Sequence, residues 1–204
     1  MRTLFTILLI LLSNQANAEW RLPDERYVHG YYEVYNVTRH DVLNVRAEPR
    51  GSAPKLGGLA FDKEIVEIVS TNSANSWGML RIGEHMGWAS MRYLRPTRVT
   101  TFGGTNIPIG LRCLSEEPFV TYTFGAGVVI ESSLGSAERH FPILEIIPND
   151  TQYRIYFEEL DVVRNISLTL DGKGKSTMAD VTYLWSFDID GSNLGMAGCS
   201  LFEE

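Results

Sequence analysis

From residue 32 onward the chain alternates between short apolar runs and clusters of Gly, Pro, Asn and Asp. Leu43 and Val45 alternate with Asn44 and Arg46, the period of two that marks a strand with one buried face. Ile65, Val66, Ile68 and Val69 form a denser run, suited to a central strand. Strands are predicted over 32–37, 43–46, 65–70, 79–82 and 87–90. A second series is predicted over 120–124, 128–131, 144–147, 153–157, 166–170 and 181–188, with a last strand ending at Phe202. Helical periodicity is almost absent, so the pattern is that of an all-β chain. Between the two series, residues 97–109 are polar, carry Gly103 and Gly104, and read as a linker. This divides the chain into units at 31–96 and 110–204, with cores expected to be separate and a lead-in segment at 19–30. Asp190-Gly191 suits a hairpin turn better than a calcium loop, whose twelfth position is filled here by Cys199.

The first eighteen residues follow another rule. Arg2, a nine-residue apolar run at 4–12 and the triplet Ala16-Asn17-Ala18 have the layout of a secretory signal peptide cleaved after Ala18. The run is far short of the roughly 20 residues a spanning helix needs, so stable membrane insertion is not expected. Composition adds exclusions. Lys plus Arg number 18 against 25 Asp plus Glu, a formal charge of −7, which disfavours nucleic acid as a partner. Two Cys, Cys113 and Cys199, are too few for a Cys₄ zinc site or an iron–sulfur cluster. No two of the four His have helical ligand spacing, so neither metal nor cofactor is expected. In an oxidising compartment two Cys usually pair. Two buried thiols, or a catalytic Cys, are the alternatives.

The first unit carries an ordered set of short motifs: Leu43-Asn44-Val45-Arg46, Gly57-Gly58, Trp77-Gly78, Gly87-Trp88-Ala89 and Tyr93-Leu94. The set resembles the bacterial SH3 (SH3b) family across essentially the whole of 31–96. The resemblance implies a small SH3-like barrel that binds rather than catalyses, set beside peptidoglycan and its peptides. Tyr32, Tyr35, Arg46, Trp77 and Tyr93 are the candidate ligand-binding residues, because aromatic side chains offer large, rigid contact area. Leu43, Val45 and Trp88 are assigned to the core.

The second unit carries Cys113-Leu114-Ser115-Glu116-Glu117-Pro118-Phe119, Met178-Ala179-Asp180-Val181-Thr182-Tyr183 and a closing Gly198-Cys199. These are similar to a little-characterised bacterial envelope domain of the Cys-x-Gly-Thr-Glu-Pro-Phe-Trp type, with Ser115, Glu116 and Val120 in place of Gly, Thr and Trp. The resemblance implies a second antiparallel β-barrel or meander, broadly like small periplasmic lysozyme inhibitors. A Cys113–Cys199 disulfide would join its first strand to its last, and closing so long a loop contributes on the order of 4 kcal/mol.

Catalysis finds little support. A Cys nucleophile needs a nearby His, and His140, beside Phe141 and Pro142, is the one that follows Cys113. Glu116 and Glu117 are neighbours that point to opposite faces of a strand, unlike a glycosidase pair, and Glu158-Glu159 and Asp188/Asp190 read as solvent-facing. The expectation is a non-enzymatic periplasmic envelope protein whose first unit binds cell-wall peptide or glycan, or a wall-associated protein. The alternative is an inhibitor or accessory factor of a lysozyme or wall hydrolase, acting through the C-terminal unit.

Overall fold

The computed structural model describes residues 29–193 and 195–201. The signal-peptide and lead-in segments up to residue 28, and Phe202, lie outside the described residues. The chain is all-β, as its pattern predicts.

The first unit contains β1 (Gly30–Val34), β2 (Val42–Arg46), β3 (Lys55–Ala60), β4 (Val66–Ile68), β5 (Ser70–Thr71), β6 (Trp77–Ile82), β7 (His85–Ser90) and β8 (Leu94–Pro96). A single 3-10 turn, Met91–Tyr93, precedes β8. The strands form two small sheets, in the orders β4-β1-β8 and β3-β2-β7-β6-β5. Alternation on β2 buries Leu43 and Val45 with Tyr32, Val34, Val66, Ile68, Leu80, Ala89 and Leu94 in a small core. Trp88 is half-buried instead, because its neighbour Ala89 takes the inward position on β7. β3 escapes the sequence pattern because Gly57 and Gly58 interrupt its apolar residues.

The second unit contains β9 (Leu111–Glu116), β10 (Phe119–Phe124), β11 (Val128–Ser133), β12 (Arg139–Asn149), β13 (Gln152–Glu159), β14 (Val162–Lys175), β15 (Thr182–Ile189) and β16 (Met196–Ser200). These eight strands form a closed antiparallel barrel, shut by the pairing of β16 with β9. Cys199 lies opposite Cys113 in that pairing, and the two are joined by a disulfide. Register partners place Leu111, Cys113, Phe124, Val129, Phe141, Ile155, Phe157, Ile166, Leu168 and Trp185 together as an apolar filling. Asp190 and Gly191 both adopt positive φ, and Ile189 bridges Ser192, so this segment is the hairpin turn that the sequence suggests.

Residues 97–109 join the units and are themselves packed. Thr101 bridges Pro108, Ile107 is buried in the barrel cluster, and the Asn106 amide donates to the Tyr153 hydroxyl at 3.1 Å. The first unit keeps its small core but also lends Tyr31 and Val69 to the barrel's cluster, so the two cores meet.

Candidate functional site

On the outward face of β2, Asn44 and Arg46 project opposite to Leu43 and Val45. They form one wall of a groove of about 440 Å³. The loop after β1, with Asp41, the start of β6 at Trp77, and Ser90, Arg92 and Tyr93 around the 3-10 turn complete it. Backbone bonds hold the walls in place. The Tyr35 amide donates to the Tyr93 carbonyl at 2.8 Å, and the Met91 amide to the Ser76 carbonyl at 3.0 Å. Asn72 accepts from the amides of Ser76 and Trp77 and so fixes where the indole begins. Arg46 donates through Nη1 to the Ala53 carbonyl at 2.8 Å, which holds its guanidinium at the rim. The Arg92 guanidinium lies 5.6 Å from the centre of the Tyr93 ring.

Of the five aromatic and polar candidates, Arg46, Trp77 and Tyr93 come together in this groove. The other two stand elsewhere. Tyr32 is packed into the small core, where burial raises its phenol above the usual value. Tyr35 is exposed, with the Arg95 guanidinium 4.8 Å from its ring centre. Asn44, Asp41 and Arg92 were not singled out by sequence. The alternation on β2 carries the signal for Asn44, whereas Arg92 depends on a turn that no periodicity marks.

No family model, curated protein or solved structure matches the chain. What the groove can do follows from its lining: an indole, a phenol, two side-chain amides, two aliphatic hydroxyls, two guanidinium groups and one carboxylate. Its charged groups sum to the opposite sign from the chain's −7. Such a surface stacks against flat or apolar groups and hydrogen-bonds anionic ones.

Two other polar clusters lie on the barrel. At one end, Arg139 bridges Glu131 and Glu159, and Arg164 bridges Glu159 and Asp190. Glu159 is thus turned towards this network rather than to solvent, because alternation on β13 puts it on the same face as Phe157. Tyr122 lies nearby, its phenol pushed up to about 12 by burial and then by the charge of Glu131. The cluster's two guanidiniums and three carboxylates pair with one another across the strand ends.

The second cluster surrounds Glu116. Its carboxylate accepts from the hydroxyls of Ser176 and Thr177 and, at 2.8 Å, from the Thr177 amide. This pins the outer part of the β14–β15 hairpin, beyond the bulge between Leu170 and Gly174, over β9. Val181, Tyr183 and Ala197 pack there with Leu114. The three motifs of the second unit, far apart in sequence, therefore meet in one place. Both Cys are joined, which removes the thiolate that a Cys nucleophile requires.

Proposed function

We propose that this is a non-enzymatic cell-envelope protein whose first unit, an SH3b-like module, holds a wall-derived peptide or glycan in the groove of Arg46, Trp77 and Tyr93. The observation that carries the reading is the convergence of those three side chains, from three separate elements, on one groove. The indole and phenol supply rigid contact area, Asn44 hydrogen-bonding capacity, and Arg46 and Arg92 a place for a ligand carboxylate. The signal-peptide pattern supports an exported location, and a Cys113–Cys199 bond suits an oxidising one. A single open groove gives modest affinity, on the order of 10 μM to 1 mM.

Co-sedimentation of the full chain with purified wall sacculi tests this. Trp77→Ala is expected to abolish sedimentation while leaving the thermal midpoint near that of the parent. Tyr35→Ala, outside the groove, is expected to leave binding intact. Equal sedimentation of parent and Trp77→Ala moves wall binding off this groove to another surface, and no sedimentation of the parent removes the wall-binding reading.

A further inference from the structure

The first unit meets the barrel along one face of β1 and β4. Alternation sends Tyr32, Val66 and Ile68 into the small core and turns the register partners Tyr31 and Glu67 towards the barrel. There Tyr31 accepts a hydrogen bond from Trp185 Nε1 at 2.8 Å, with both side chains buried. Glu67 Oε1 accepts from the Leu201 amide at 2.7 Å, across 134 residues of sequence. Beside them lies a cavity of about 290 Å³, lined by Ile65, Glu67, Leu80 and Arg81 on one side and Ser200 and Leu201 on the other. The Glu67 carboxyl thus stands where the two units touch and loses water when they dock.

Among the described residues, few groups are placed to compensate a charge there. Tyr31 faces Glu67 from β1, Arg81 from β6 and Lys63 from the turn before β4. From the barrel side, among the described residues, come the Leu201 amide and the Ser200 side chain, neither of them charged.

We propose that the joint between the two units is proton-linked: docking takes one proton from water onto the Glu67 carboxyl, and separation releases it. Desolvation favours the neutral acid, and this outweighs the Leu201 amide and the Arg81 charge, both of which favour the carboxylate. The docked carboxyl is accordingly pushed up from 4.5 to about 8. In the separated form, back in water, it returns to the ordinary carboxylate range. The sign follows from linkage. Between the two values the docked form holds a proton that the open form lacks. The stabilisation is complete below the ordinary value, shrinks as pH rises, and is gone above about 8. The joint is tight in acid and loose in alkali.

Tyr31 adds no charge over this range, because burial and the nearby Glu67 both raise its phenol. His29 lies elsewhere, against Leu170 and Asp171, and burial lowers its pKa. Its protonation opposes docking in acid, the reverse sign, and is common to wild type and a Glu67 variant.

Hydrogen exchange of the Leu201 amide in the full chain, corrected for intrinsic exchange, reads the opening of the joint. Its opening constant should rise about tenfold per pH unit between about pH 6.5, above which His29 is neutral, and pH 8, and level off above that. Glu67→Gln keeps an acceptor for the amide but cannot titrate, and should flatten the profile. A parent profile that is already flat, or the same slope in both proteins, overturns the proposal. Should Glu67→Gln fail to fold, carbon-13 titration of the Glu67 carboxyl in the parent decides. An inflection near pH 8 supports the linkage, and one in the ordinary carboxylate range overturns it.

Discussion

Burial alone drives a carboxyl towards its neutral form, yet Glu116 is shifted the other way. Burial is the largest single influence and raises its pKa, but hydrogen bonds from Ser176, Thr177 and the Met178 amide together outweigh it and hold the group below the usual carboxylate value. A depressed pKa contributes stability above the unfolded value that is lost as pH falls through the folded one. Glu116→Gln should therefore destabilise the fold by about 1.5–3 kcal/mol near neutral pH, the range for hydrogen bonds to a charged acceptor. The gap from the parent should close in acid. Urea unfolding of both proteins at pH 7 and pH 3 measures this, and an unchanged gap at pH 3 would count against a charged clamp. Glu116 ends β9 and is buried beside buried Ser115, whereas Glu117 lies in the turn that follows and is exposed, so the strand alternation expected of the pair does not set their burial. The donors to Glu116 were invisible because they lie about 60 residues away.

The hairpin that Glu116 clamps depends on a close backbone approach. A Cβ on Gly198 would lie 2.6 Å from Tyr183 Cβ and 2.9 Å from the Gly174 Cα, so β14 can cross β16 only where both residues are glycine. Gly198→Ala should cost about 1–3 kcal/mol by overpacking, seen as a lower urea midpoint, and should raise protease sensitivity around 176–181. Strands whose apolar residues alternate cleanly, such as β2 and β13, could be read from sequence because burial sets their period. The far end of β14 could not. Asp171-Gly172-Lys173-Gly174-Lys175 has the composition of a turn; its first three residues form the bulge, with Gly172 at positive φ, and Gly174 and Lys175 resume the strand by pairing with β15. The groove divides in the same way. Trp77 and Tyr93 stood out as aromatics, but adjacent Tyr31 and Tyr32 serve different cores, a difference that only the docking of two units creates.

For the whole molecule, that docking couples the units. The Thr182 amide donates to the Met86 thioether, and Arg81 lies over the Tyr183 ring, in addition to the Tyr31–Trp185 bond. Removing the Tyr31 hydroxyl strands a buried indole N–H, so Tyr31→Phe should cost about 1–3 kcal/mol. It should also lower the cooperativity of melting, and calorimetry showing one sharp transition in the parent and two in the variant would bear this out. The loss should extend to both units, unlike damage confined to one core. The Cys113–Cys199 bond has a mechanical consequence at this scale. It ties β9 to β16, so a pull on the two ends of the chain runs through the sulfurs and bypasses the 86-residue separation they span. The barrel strands between them carry no tension while the bond is intact. Single-molecule stretching should therefore show the first unit yielding alone. A further lengthening of about 300 Å, at ~3.5 Å per residue, should be released only after a reductant is added.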